Sequence, residues 1–229
     1  MKKLVSVALL LSSTILFSSC SRRSLELNGS GKIVNINSNF KGFTKVDLSG
    51  MIGEVNLTSG ALEYDIEGEI DDNLFNLVDI SKVGETLFIK LTGNERNALY
   101  VERNKCVLNI TAPLLDQLKH EGNGSVRFAL APHQNVTLDK SGNAWMSISG
   151  TGANNLGIAI SGNGDVDIQN LKSKNVTAIK FGNGVLRLNT DNPFKLNGEG
   201  NGDVTNTGYG VLAEGSSYGG NGDVKLRIN

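Results

Sequence analysis

The chain has 229 residues, of which 28 are glycine, 27 asparagine and only 3 proline. Lys and Arg total 22 against 23 Asp and Glu, a net charge of −1, and 39% of the residues are hydrophobic. Rare proline and the lack of a three-residue glycine period exclude collagen. Frequent, regularly placed apolar residues exclude a disordered chain, and balanced charge gives no support to a nucleic-acid partner. With 2 His, 1 Trp and 2 Cys there is little material for a metal centre or a His-based active site, so no cofactor is expected.

Residues 1–19 read as a signal peptide. Lys2 and Lys3 make a positive start, and Leu4 to Phe17 is mostly apolar but too short to span a bilayer comfortably. Leu16-Phe17-Ser18-Ser19-Cys20 resembles a bacterial lipobox, in which small residues precede the cysteine that becomes the lipid-modified N-terminus; Phe17 stands where leucine is usual. Cys20 is the expected lipidation site, with ordinary signal cleavage as the alternative. Two or three acyl chains would anchor the protein stably, since each buried methylene contributes about 0.8 kcal/mol. Residues 20–38 are polar, contain Gly29-Ser30-Gly31 and read as a tether. The partner implied is a membrane, reached through the N-terminal lipid.

From residue 39 the pattern is β. Phe43-Thr44-Lys45-Val46-Asp47-Leu48, Glu54-Val55-Asn56-Leu57, Leu62-Glu63-Tyr64-Asp65-Ile66, Val78-Asp79-Ile80 and Leu87-Phe88-Ile89-Lys90-Leu91 alternate with period two. Asp71 to Leu77 suits one helical turn with acidic residues at its start. Cys106 lies in the alternating run Lys105 to Ile110, which predicts a buried, inert thiol. Pro113 to Leu118 bridges this irregular sector, 39–118, to a repetitive one, 119–229.

The repetitive sector carries a corner motif: Gly122-Asn123-Gly124, Gly142-Asn143-Ala144, Gly162-Asn163-Gly164, Gly182-Asn183-Gly184, Gly200-Asn201-Gly202 and Gly220-Asn221-Gly222. The first glycines are spaced by 20, 20, 20, 18 and 20 residues. After each corner, Val126, Met146, Val166, Leu186, Val204 and Val224 form one apolar column, and Phe128, Ile148, Ile168, Leu188, Asn206 and Leu226 a second. Asn206 is the polar intrusion. A second strand follows at Asn135, Asn155 and Asn175, so each repeat reads as strand, turn, strand, corner. Units this small bury a core only by stacking. The prediction is an all-β, single-domain parallel β-helix with rungs of roughly 20 residues and a height on the order of 25 Å at about 4.8 Å per rung. Glycine supplies positive φ at the corners, asparagine tolerates left-handed backbone, and stacked asparagines can hydrogen-bond as a ladder.

Few residues suggest chemistry. Asp165, Asp203 and Asp223 share the post-corner position, but the glycine-rich calcium repeats they resemble need a nine-residue period, and two neighbouring carboxylates fall short of six to eight oxygen ligands. No metal is expected. Asp165 and Asp167 point to one outer face at roughly 7 Å strand spacing, which does not exclude a glycosidase pair. Trp145, one repeat earlier, makes Trp145 with Asp165 and Asp167 the one candidate ligand-contact patch. His120, His133, Lys172 and Lys174 read as solvated.

Three segments extend the pattern: Gly42-Phe43-Thr44-Lys45-Val46-Asp47-Leu48-Ser49-Gly50, Gly84-Glu85-Thr86-Leu87-Phe88-Ile89 and Thr111-Ala112-Pro113-Leu114-Leu115-Asp116-Gln117-Leu118. With the Gly-Asn-Gly-Asp-Val corners they resemble the auto-transporter adhesin family, also called the head GIN domain, of envelope proteins and lipoproteins in Bacteroidota-like bacteria. The resemblance covers residues 39–229. It implies a right-handed parallel β-helix and supplies no catalytic residues. Surface-exposed lipoproteins of such bacteria often carry acidic residues after the lipid cysteine, whereas Ser21-Arg22-Arg23 stand here. That implies an outer-membrane protein facing the periplasm, with surface exposure as the alternative.

The functional expectation is a non-enzymatic cell-envelope lipoprotein with an adhesin-like binding or scaffold role. The alternatives are a polysaccharide-binding or polysaccharide-active protein near Trp145, and a self-associating structural protein joined through the open end near Ile228. The ligand, glycan or protein, is left open.

Overall fold

A computed structural model describes residues 25–92, 99–102 and 104–227. The expected signal peptide, Cys20 and Ile228 lie outside the described residues.

Nineteen strands and one short helix are described. In chain order they are β1 (Leu25–Asn28), β2 (Ile33–Ser38), β3 (Lys45–Met51), β4 (Glu54–Ser59), β5 (Asp65–Asp71), α1 (Asp72–Phe75), β6 (Val78–Val83), β7 (Thr86–Leu91), β8 (Leu99–Glu102), β9 (Cys106–Ala112) and β10 (Gln117–Gly122). There follow β11 (Ser125–Leu130), β12 (His133–Gly142), β13 (Met146–Ile160), β14 (Val166–Phe181), β15 (Leu186–Leu188), β16 (Lys195–Glu199), β17 (Val204–Asn206), β18 (Ser217–Gly219) and β19 (Val224–Leu226). Seventeen strands share one hydrogen-bonded network; β1 and β8 pair separately.

Most pairings are parallel, and in the repetitive sector partners sit 20 residues apart. Val126 pairs with Met146, and Asn135 with Asn155, which pairs with Asn175. Across the deletion Ala178 pairs with Leu196, a step of 18. Two columns run through both sectors: β7–β3–β10–β12 and β9–β4–β11–β13. The fold is thus all-β, mostly parallel, with β-helix-like stacking.

Period-two alternation decides what is buried. Val126, Met146, Val166, Leu186 and Val204 are at most 1% exposed, as are Phe128, Ile148, Ile168 and Leu188. Asn206 is tolerated among them because four hydrogen bonds satisfy it. It accepts from the N–H of Thr190 and Gly208 and donates to the carbonyls of Thr190 and Gly210.

Four expectations change. Two parts of the expected tether are strands: residues 25–28 are β1, parallel to β8, and residues 33–38 are β2, antiparallel to β5, where Val34 and Ile36 alternate with asparagines and complete the sheet edge. The irregular sector contains antiparallel pairs, β5 with β9 and β6 with β7. Leu62, expected in a strand, is 95% exposed ahead of β5. The expected two strands per repeat are kept as β11 and β12, β15 and β16, and β17 and β18, but in the two repeats between them they merge into the single long strands β13 and β14, whose mutual register shifts near Gly150 and Ala153.

The helical turn is present as α1. Asp71 precedes it but makes no side-chain cap. Its buried carboxylate instead accepts from the N–H of Gly31 (2.7 Å) and Lys105 (2.6 Å), joining the starts of β2 and β9 to the end of β5. Cys106 is 3% exposed. Burial, and next the negative charge of Asp71, push its thiol up to about 11, which removes the thiolate needed for reactivity at neutral pH.

Candidate functional site

The corners are the most regular feature and explain the glycines. Gly162 has φ +97°, and a Cβ there would meet the Gly142 carbonyl oxygen at 2.3 Å. The third corner residue is glycine for another reason: Gly164 shows no such φ, but a Cβ would lie 1.8 Å from the Ala144 carbonyl oxygen. Close stacking of backbone on backbone, not left-handed geometry alone, selects glycine there.

Between the glycines the asparagines form a continuous exposed ladder. Asn143 donates to Asn123 (3.2 Å), Asn163 to Asn143 (2.9 Å), Asn183 to Asn163 (2.7 Å), Asn201 to Asn183 (2.8 Å) and Asn221 to Asn201 (3.1 Å). A second ladder joins Asn175 to Asn155 and Asn155 to Asn135.

Behind the corners lies a feature that the sequence reading missed. His120, Lys140, Ile160 and Lys180 stand in register on the inner face of β10, β12, β13 and β14. His120 and Lys180 are 0% exposed and Lys140 is 1% exposed. His120 was expected to be solvated; it is buried because it lies two residues after Leu118, on the same side of the strand. His120 Nε2 lies 2.7 Å from the Gly124 carbonyl oxygen. Burial lowers its pKa, so the neutral ring is favoured. The other solvated reading, His133, concerns a side chain outside the described residues.

The ammonium of Lys140 donates to the carbonyls of Gly142 (3.0 Å) and Gly164 (2.7 Å). That of Lys180 donates to Gly182 (3.2 Å), Gly202 (2.9 Å) and the Tyr218 hydroxyl (2.7 Å). Each buried cation thus takes the inward carbonyls of two successive corners. Burial lowers the Lys140 pKa to about 8 against a partly offsetting attraction from Asp165, and lowers that of Lys180 by the same cause. Ile160 between them keeps the two charges two strand steps apart. At a strand spacing of about 4.8 Å and an effective dielectric of about 20, that reduces the repulsion from roughly 3.5 to roughly 1.7 kcal/mol. The signal for these lysines was in the sequence: Lys140 follows Leu138 and Lys180 follows Ala178 by two residues, in phase with the buried column.

The outer face holds the expected ligand-contact residues. Trp145 and Asp165 are neighbours, with the Met146 N–H donating to the Asp165 carbonyl at 3.0 Å. Trp145 is 38% exposed and the Arg127 guanidinium sits 5.6 Å from its ring centre. Asp165 accepts from the Val185 N–H (2.9 Å) and from Arg187 (3.2 Å). Asp167 accepts from the backbone and side chain of Gln169. Asp203, in the same column as Asp165, accepts from the Asp223 N–H and from Lys225, which holds its carboxyl below the usual range. These carboxylates are engaged locally. No group of three or more His, Cys, Asp or Glu suited to a metal exists among the described residues.

A groove of about 500 Å³ crosses the turns between the corners, lined among others by Thr151, Asn154, Lys172, Lys174, Asp191 and Asn192. Lys172 was expected to be solvated, and it is exposed but paired with Asp191 at 2.6 Å. Lys174 is exposed as expected.

Stacked parallel strands with laddered corners define an all-β protein whose outward surface is a set of rigid sheet faces. The chain belongs to the family described as "Putative auto-transporter adhesin, head GIN domain", matched over residues 42–210. It is similar in structure to a putative adhesin of Bacteroides fragilis (TM-score 0.65, 18% identity), which covers 88% of this chain and 100% of that one. It is also similar to a putative lipid binding protein of Parabacteroides distasonis (TM-score 0.58, 14% identity, 89% and 100% covered). A putative adhesin of Parabacteroides distasonis is a third similar structure (TM-score 0.51, 17% identity, 88% and 100% covered). These likenesses concern the fold. No curated protein matches the chain.

Proposed function

We propose that this is a non-enzymatic lipoprotein of the cell envelope that works through its stacked sheet faces as an adhesin-like binding or scaffold surface. The observation that carries the reading is the state of the outward carboxylates. Asp165, Asp167 and Asp203 each hold backbone and side-chain donors of their own neighbourhood, and groups held this way stiffen a surface and are poorly placed as acid and base. Family membership supports the adhesin-like role. In this reading the stack is a right-handed parallel β-helix with rungs of about 20 residues, the repeat spacing of the corners. Cys20 carries the lipid, and the domain faces the periplasm from the outer membrane. Mass spectrometry of the processed N-terminus tests the anchoring: a lipid-modified Cys20 is expected, and an unmodified N-terminus elsewhere would overturn it.

A second reading, glycan contact at Trp145, is favoured by one observation, a partly exposed indole flanked by Arg127 on the outer face. Aromatic faces and cationic donors are groups that hold sugars. Glycan-array binding that is lost in Trp145→Ala supports it; binding unchanged in that variant removes it.

A further inference from the structure

The two ends of the strand stack are built differently. At one end β7 is covered by β6, and β9 by β5, both antiparallel. At the other end, among the described residues, β18 and β19 are paired on one side only, with β16 and β17. The core is also unfinished there. Val166, Leu186 and Val204 are at most 1% exposed, whereas Val224, next in that column, is only half-buried, as are Leu226 and Tyr218.

The backbone of β19 has a definite direction. The Val204 N–H donates to the Asp223 carbonyl at 2.8 Å, so Asp223 and Lys225 face β17. By the alternation of a parallel ladder, Val224 and Leu226 then aim their N–H and C=O groups away from the stack.

We propose that this edge joins a second copy of the chain, with β19 antiparallel to the β19 of that copy and Val224 opposite Val224. Charge selects both partner and register. In this arrangement the two Val224 residues exchange their hydrogen bonds, and Asp223 lies opposite Lys225 of the second copy, twice by symmetry. Those two pairs fall at non-hydrogen-bonded positions, where facing Cα atoms approach to about 4.5 Å. Both side chains are exposed on the outer face. Lys225 already binds Asp203 within its own chain, so Asp203, Lys225 and the incoming Asp223 would alternate in sign. Symmetric pairing centred one residue away sets Lys225 against Lys225, or Asp223 against Asp223, and like charges directly opposite destabilise a strand pair.

Sedimentation velocity of the full-length chain in density-matched detergent tests this. The wild type is expected to reach the mass of two chains as its concentration rises. Asp223→Lys and Lys225→Asp should each weaken association at least tenfold while keeping a folded circular-dichroism melt. An equal mixture of the two variants restores complementary pairs and should dimerise again. A wild type that stays monomeric, variants that still dimerise, or a mixture that stays monomeric would each overturn the proposal.

Discussion

Replacing Lys140 by methionine keeps the length of a side chain that is 1% exposed and removes its charge. Two effects oppose at pH 7. Burial that lowers the lysine pKa from 10.5 to about 8 corresponds to a cost of about 3 kcal/mol for carrying the ammonium, and the variant escapes it. The variant also leaves the carbonyls of Gly142 and Gly164 without this donor, at about 1–3 kcal/mol for each buried group left unpaired. Near neutral pH the two roughly cancel. Above pH 8 they do not. There the native lysine has lost its proton while the unfolded chain keeps one up to pH 10.5, so the unfolded state binds more protons and stability rises with pH. The wild type should therefore gain about 3 kcal/mol over Lys140→Met between pH 7 and pH 10.5. Urea unfolding of both proteins at half-unit pH steps measures this difference. Cys106, raised to about 11, acts with the opposite sign and makes folding less favourable as pH climbs past 9, as do Tyr218, Lys119 and Lys225, whose pKa values are also raised. These titrate alike in both proteins and cancel, whereas Lys180, relieved of the Lys140 charge in the variant, is lowered less there and adds to the difference. A difference that stays constant with pH would refute the assignment of Lys140 as a buried, carbonyl-held cation.

Gly162→Ala should lower stability by about 1–3 kcal/mol, the cost of a non-glycine residue in a sparsely populated backbone region, plus whatever the 2.3 Å approach to the Gly142 oxygen adds; the shift in melting temperature reads it. Asn163→Ala removes two ladder links and should cost about 1–2 kcal/mol, near the low end for exposed hydrogen bonds; an unchanged melting point would argue against the ladder as a stabilising device. Cys106 should react with a thiol reagent at pH 7 only in step with unfolding, followed by absorbance in urea, because the folded thiol is buried and its ionisation is pushed up to about 11.

The regular sector was legible because its signals repeat. The 20-residue corner spacing gave the register, and the columns from Val126 to Val204 gave the buried side. Asn206 stands out as the polar intrusion in its column, but its partners, Thr190 of the preceding turn and Gly208 and Gly210 just after it, are not encoded by the repeat. The antiparallel pairs of the irregular sector were not legible, since alternation in β5 or β6 carries no direction of pairing. β2 was mistaken for tether because its hydrophobic residues are separated by asparagine, a residue that reads as loop unless a partner strand is known. His120, Lys140 and Lys180 were misjudged or passed over because charge and polarity argue for solvent. Their position in phase with Leu118, Leu138 and Ala178 argues for the interior, and the inward corner carbonyls make the interior the better place. At the candidate patch, the adjacency of Trp145 and Asp165 followed from the repeat. The engagement of Asp165 by the Val185 N–H and the Arg187 guanidinium did not, since it depends on the rotamers that Asp165 and Arg187 adopt across adjacent repeats.

The most direct test of the proposed role is incubation of the purified protein with isolated envelope polysaccharides, with mass spectrometry of the soluble products. A binding or scaffold protein returns every polymer intact, and the wild type and Asp165→Asn give superimposable spectra. Cleavage products made by the wild type and lost in Asp165→Asn would contradict the account.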